Sequence, residues 1–283
     1  MQMLNILKLR RNTGNLITYL LLALLAVPFI FPFLWMFAGS FKSINEIFEI
    51  RLLPRKYYWT NFIDVFTFQP FGRHYINSVY IAVIVTSSTL FVSSLSGYAF
   101  ARIEFPGRSI LFLVLLSTLM MPIQVTIIPN YFLMTWLNLI NTHAPIIIIP
   151  ILGARGVVAT FMMRQFFLSL PKELEDAAIL DGLNRLGIFL RVALPLAAPA
   201  LGSIAILTFL SSWNSFLEPL IYLNDLKMFT IPLSLPNFIT NYGLPVWNLQ
   251  LAATTLSVVP ILLVFFMAQK KIVNTMAFSG LKY

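Results

Sequence analysis

The chain has 283 residues, of which 59% are hydrophobic and only 10% charged, with a mean hydropathy of +0.85. A soluble domain carries about a quarter charged residues, so a soluble globule, and with it a soluble enzyme, is excluded in favour of an integral membrane protein. Lys and Arg number 19 against 10 Asp and Glu, a formal charge of +9, which basic cytoplasmic loops account for without nucleic acid.

A membrane-crossing helix needs about 20 apolar residues. Six runs meet that need: Leu16–Ala38, Ile76–Ala99, Ser109–Ile128, Pro145–Phe166, Leu194–Leu217 and Leu249–Met267. The expected fold is therefore all-α, with six transmembrane helices. The first run follows Lys8, Arg10 and Arg11 and has no evident small-x-small cleavage site, so it is a retained anchor rather than a secretion signal. Six crossings put both termini on one side. Setting Lys8, Arg10 and Arg11 in the cytoplasm brings Arg102, Arg108, Arg164, Lys172, Arg185, Arg191, Lys270, Lys271 and Lys282 with them. The smaller set, including Lys42, Arg51 and Arg73, lies outside, as the positive-inside rule requires. Between the first two runs, Gly39 to Arg73 forms an external stretch with Pro54, Tyr57, Tyr58 and Trp59, long enough to hold structure of its own.

Polar groups inside membrane helices are costly and mark function by default. In the third run, Gln124 and Asn130 lie at a break bounded by Pro122 and Pro129. Backbone freed at such depth is tolerated only in protein interiors or cavities, so both are substrate-path candidates. In the fourth run Arg155 sits in Gly153-Ala154-Arg155-Gly156. It would meet a solute hydroxyl, carboxylate or phosphate, or else pair with Glu218 or a backbone carbonyl, or lie near the outer interface. Ser94, Ser96, Gly97 and Ala99 suit close helix packing.

Between the fourth and fifth runs, a loop at about 164–193 gathers Glu173, Glu175, Asp176 and Asp181 with Arg164, Lys172, Arg185 and Arg191. Pro171 suits the first turn of a helix, acidic residues follow where the helix dipole favours them, and Gly182 supplies a stop. Leu170, Leu174, Ala177 and Ala178 recur at helical spacing. Lipid-surface helices are rich in Lys, Arg and large apolar residues. This one is acidic with an alanine pair, which favours docking to a protein.

The fifth run ends in Trp213-Asn214 with Glu218 close behind. A ring, an amide and a carboxylate there would make a sugar-binding surface, or an interfacial tryptophan belt with helix capping. Two histidines, His74 and His143, lie far apart in sequence, and no metal site is expected.

The spacing Asp176-Ala177-Ala178, three residues, Gly182, nine residues, Val192, one residue, Leu194-Pro195 resembles the EAA signature of ABC-importer membrane subunits, with Asp for Glu and Val for Ile. Ser96-Gly97-Tyr98-Ala99-Phe100-Ala101-Arg102 with Phe105-Pro106-Gly107, then Met121-Pro122, Arg164-Gln165-Phe166-Phe167 and Ser212-Trp213-Asn214 are similar to the maltose-type carbohydrate subgroup. The resemblance implies one permease domain over 1–283 with the type I importer architecture. It implies a loop that docks on a cytoplasmic ATPase subunit, the contact falling to Glu175, Asp176, Ala177, Ala178, Asp181, Gly182, Leu194 and Pro195. It also implies a second homologous permease, two ATPase subunits that use ATP and Mg, and an extracytoplasmic solute-binding protein. The chain would lie in a bacterial or archaeal inner membrane and bind no cofactor.

No phosphate loop, paired histidines or catalytic triad occurs in the sequence; no catalytic residue is expected, and ATP hydrolysis falls to the partner. An ion-coupled secondary transporter should show matched halves with acidic or broken helices, whereas Glu218 stands isolated. A membrane enzyme would need a His, Asp or Ser cluster at membrane depth. The expected function is import of a neutral sugar or oligosaccharide by alternating access, with glycerol phosphate or an acidic sugar as the alternative that Arg155 keeps open.

Overall fold

The computed structural model describes residues 2–240 and 242–280, with side chains for 18–240 and 242–267. Fourteen α-helices run in order among these residues: α1 (Gln2–Gly39), α2 (Thr60–Phe68), α3 (Phe71–Arg102), α4 (Arg108–Ser117), α5 (Ile123–Trp136), α6 (Ala144–Leu152) and α7 (Ala154–Ser169). They continue as α8 (Glu173–Leu180), α9 (Arg185–Ile188), α10 (Leu194–Leu196), α11 (Ala198–Trp213), α12 (Leu217–Tyr222), α13 (Ile231–Ser234) and α14 (Trp247–Gly280). The one β feature among the described residues is an isolated bridge, Ile239 to Pro245.

Among the described residues four helical spans are long and apolar enough to cross a membrane: Thr18–Gly39, Phe71–Arg102, Ala144–Ser169 and Trp247–Met267. Counting each of two bent pairs as one span brings the number to six. Arg108–Met120 meets Ile123–Trp136 at 103°, and Arg185–Leu196 meets Ala198–Trp213 at 73°. The first bend falls at Met121-Pro122, because the proline disfavours helical backbone in the residue before it. The six spans match the six apolar runs. The side chains of Lys8, Arg10, Arg11, Lys270, Lys271 and Lys282, on which the assignment of sides leans, lie outside the described residues.

The contacts divide the chain into two units. The first takes residues 1–69 and 238–256. The stretch after α1 folds around Phe41, whose ring meets Trp59 at 4.7 Å, Phe62 at 5.1 Å and Phe37 at 5.2 Å. Asn61 Nδ2 donates to the carbonyls of Ser40 and Lys42 at 2.8 and 2.9 Å, and its Oδ1 accepts from Asn248. Lys42 itself is buried and donates to the Arg51 carbonyl. Asn61 and Lys42, removed from water, are thus paired, as burial demands.

The second unit takes residues 70–237 and 257–283. Its centre is α3, packed chiefly on α7 and α11. Toward the C-terminal ends of α3 and α7 a core of Tyr98, Ala101, Met163, Phe167, Phe189 and Ala193 is closed to solvent. Nearer the start of α3 a second core holds Ile81, Val85, Met134, Ile146, Tyr222 and Leu233. Gly153, with extended backbone, separates α6 from α7 within one span.

Candidate functional site

The charged loop begins where α7 ends. Helix α8 carries Glu173, Glu175 and Asp176 in its first turn, complementing its N-terminal dipole. It ends in a Schellman turn: Leu183 N donates to Ala178 O at 3.0 Å, and Gly182 N to Ile179 O at 2.9 Å. Gly182 has φ +82°, a left-handed conformation in which a side chain is strained. Asn184 then caps α9, its Oδ1 accepting from Gly187 N at 2.7 Å. The chain continues through a π-helical turn, Phe189–Ala193, into Leu194 and Pro195.

Burial sorts the loop's residues. Asp176, Ala177, Leu180, Asp181 and Gly182 are exposed, as are Leu174 and Ile179, while Ala178 is buried and Glu175 half-buried. Leu194 is half-buried and Pro195 exposed. Leu180 is 88% exposed. The expected apolar face is therefore split: Ala178 packs inward, and Leu174 and Ala177 face out. What faces out is a small apolar surface edged by carboxylates, with an alanine permitting close approach.

The polar residues of the spans converge elsewhere. Arg155 Nη2 lies 3.0 Å from Glu218 Oε1 and donates to Oε2 at 3.1 Å; the Ser215 hydroxyl also donates to Oε2. Three cavities touch Arg155. One of about 250 Å³ lies among Thr118, Thr126, Asn130, Gly153, Arg155 and Glu218. A second, of about 220 Å³, takes in Ser211, Asn214, Ser215 and Glu218. The third, about 180 Å³, runs between α7 and α11 past Val158, Met162 and Leu207. Asn130, Arg155, Asn214 and Glu218 thus share one polar region. Gln124 is exposed and lines none of these three. Trp213 is 2% exposed, stacked 5.8 Å from Phe209, with Nε1 donating to Ser257 O at 3.2 Å. Its ring belongs to the packed interior rather than to a sugar-stacking surface.

Several residues stand out only in three dimensions. Arg102 bonds the end of α7 and pairs with Glu175. At the opposite end of α3, His74 Nε2 meets Leu226 O at 2.8 Å, and Asn77 Nδ2 donates to the carbonyls of Lys227 and Phe229. His143 Nε2 meets Met228 O at 2.6 Å and its Nδ1 meets the Tyr80 hydroxyl. Asn141, at φ +58°, accepts from Asn224 N and Asp225 N. Both histidines therefore hold one short turn, Leu226–Met228, in place. Among the described residues no three His, Asp or Glu gather as a metal site would need. The αL tendency of Asn was the sole local signal for Asn141.

Bent apolar helices, an exposed charged loop and a polar region inside the spans are the features of a multi-pass membrane protein. Residues 90–277 match the family described as "binding-protein-dependent transport system inner membrane component". The arabinooligosaccharides transport system permease protein AraQ of Halalkalibacterium halodurans is 36% identical over 97% of this chain and 100% of its own length. The lactose transport system permease protein LacG of Rhizobium radiobacter is 33% identical, over 95% of this chain and 97% of its own length. A solved bacterial ABC transporter for the acidic polysaccharide alginate superposes with a TM-score of 0.80 at 23% identity, covering 92% of this chain and 96% of that one, and so shares the fold. The chain belongs to the family of binding-protein-dependent transport inner membrane components, and is an ABC transporter permease subunit.

Proposed function

We propose that this permease carries a neutral sugar or oligosaccharide into the cytoplasm by alternating access, driven by an ATPase that docks on α8. A second homologous permease completes the pathway, two ATPase subunits bind below, and a solute-binding protein delivers from outside; both termini are cytoplasmic. The observation that carries the coupling role is the outward face of α8, with Asp176, Ala177, Leu180, Asp181 and Gly182 exposed at the end of a Schellman-capped helix. An acidic helix with one small residue at its centre suits a groove on a protein and not a lipid surface. ATP binding closes the ATPase pair, the loop moves with it, and the permease pair opens outward; hydrolysis resets it.

Neutrality of the solute is supported by the compensation of Arg155 by Glu218, which leaves no unbalanced cation in the polar region. Permeases named for arabinooligosaccharides and lactose are among the relatives, alongside one named for sn-glycerol 3-phosphate at 29% identity. The deciding experiment expresses the full importer with Ala177→Glu or Gly182→Glu. Membrane insertion is retained, while co-purification of the ATPase subunit and uptake of labelled arabinotriose and lactose are lost. Uptake that survives these changes removes the docking role. Binding-protein-dependent uptake of glycerol 3-phosphate, with none of either sugar, removes the neutral-solute assignment.

A further inference from the structure

Arg102 closes α3 and binds three places at once. Its Nε and Nη2 donate to Phe167 O at 3.0 and 2.6 Å, and Nη2 donates to Leu170 O at 2.5 Å. These carbonyls belong to the last turn of α7 and its C-cap, where helical donors run short; Phe167 O also accepts from Leu170 N at 3.3 Å. The same Nε lies 3.2 Å from Glu175 Oε1 in the first turn of α8. Both side chains are nearly covered, 6% and 14% exposed. One turn earlier on α3, Tyr98 sets its ring against Phe167 at 5.4 Å and Phe189 at 5.1 Å. The joint therefore rests on an aromatic floor drawn from α7 and the π-helical turn.

A planar guanidinium reaches several acceptors in fixed directions, which an ammonium on a flexible stem does not. We infer that Arg102 is a positioning residue for energy coupling. It bolts α8 to α3 and α7, so that movement imposed on the docking helix passes undiminished into the membrane-crossing helices. On this view Glu175 serves as the internal anchor of that bolt, and the contact with the ATPase is left to the exposed residues of α8. The inference rests on the docking role proposed above for α8.

The chain contains no cysteine, so introduced thiols are unique labels within it, and the partner subunits are used in cysteine-free form. Glu173→Cys on the exposed start of α8 and Ile76→Cys, 66% exposed near the start of α3, carry spin labels whose separation pulsed EPR measures. In the assembled importer the separation is narrow and identical without nucleotide and with ATP plus vanadate. Adding Glu175→Gln, which keeps the carbonyl bonds of Arg102, broadens it, in the isolated permease as in the complex. Arg102→Gln and Arg102→Lys each leave ATP hydrolysis present but cut its stimulation by the solute-binding protein about tenfold, within the span over which coupling residues act. A separation that changes with nucleotide in the labelled protein, or that stays narrow in Glu175→Gln, overturns the inference. Full stimulation in Arg102→Lys overturns the requirement for the fork. Should the Arg102 variants fail to accumulate, Glu175→Gln decides alone. Failure of the docking role itself shows separately, as an ATPase subunit that does not co-purify with the unsubstituted permease.

Discussion

A Cβ built on Gly97 would lie 2.6 Å from Met163 Cβ and 2.9 Å from the backbone nitrogen of Arg164. Helices α3 and α7 meet there at backbone distance, which only a missing side chain permits. Gly97→Ala should destabilise the protein by about 1–3 kcal/mol, the usual cost of overpacking, seen as a lower thermal unfolding midpoint in detergent. Val83→Ala, at a half-exposed site on the same helix, should move the midpoint little. Equal midpoints for the two variants would show that the helices can separate without cost.

Arg155 and Glu218 are covered enough that neither charge is comfortable alone, 28% and 11% exposed. Glu218→Ala strands a guanidinium and Arg155→Ala strands a carboxylate that then keeps the Ser215 hydroxyl as partner. Each single change should cost about 1–3 kcal/mol, and the double change less than the two singles combined. Thermal unfolding of the three variants closes the cycle; strict additivity would mean that the pair is not coupled.

His143, just outside the fourth span, is held below the usual histidine range, chiefly by burial and further by Arg73, against an opposing bond to Met228 O. The unfolded chain therefore binds a proton more readily than the folded one. Stability from this group is full above its ordinary value near 6.5 and is lost as the pH falls from there through the folded value. The unfolding midpoint should drop on acidification over that window, and His143→Gln should flatten the drop. An unchanged slope in that variant would assign the acid response to other groups.

At Gly182 the left-handed backbone faces open space, and a Cβ placed there would meet nothing within 4 Å. Gly182→Ala should cost roughly 1–2 kcal/mol through backbone strain alone, and Gly182→Asn less. Partial loss of ATPase co-purification with Ala, and near-normal co-purification with Asn, is the expected ordering. Equal losses would point to a contact at the glycine surface instead.

The number of spans, the Pro122 break and the charged loop with its glycine stop were legible in the sequence, because run length, proline and spacing are local signals. Which face of each helix turns inward was not. In a membrane helix both the buried and the lipid-facing sides are apolar, so the periodicity that marks a core in a soluble protein is muted. Trp213 shows the effect: beside Asn214 and Glu218 in sequence, its ring is turned into the interior. The pair Arg102–Glu175 and the clamp of His74 and His143 on one turn join residues many positions apart, and no local pattern announces them. Arg155 with Glu218 was one of the alternatives that the sequence left open, and the two side chains are paired in the structure.

The interruption at Gly153 has an electrostatic consequence. Because the span restarts there, Arg155 falls in the first turn of α7, where a cation opposes the positive end of the helix. Glu218 occupies the first turn of α12, where an anion is welcome. The carboxylate therefore answers the guanidinium from a helix beginning of its own. Had α6 run unbroken into α7, the arginine would sit mid-helix, still in need of the carboxylate but spared the opposition of a helix beginning.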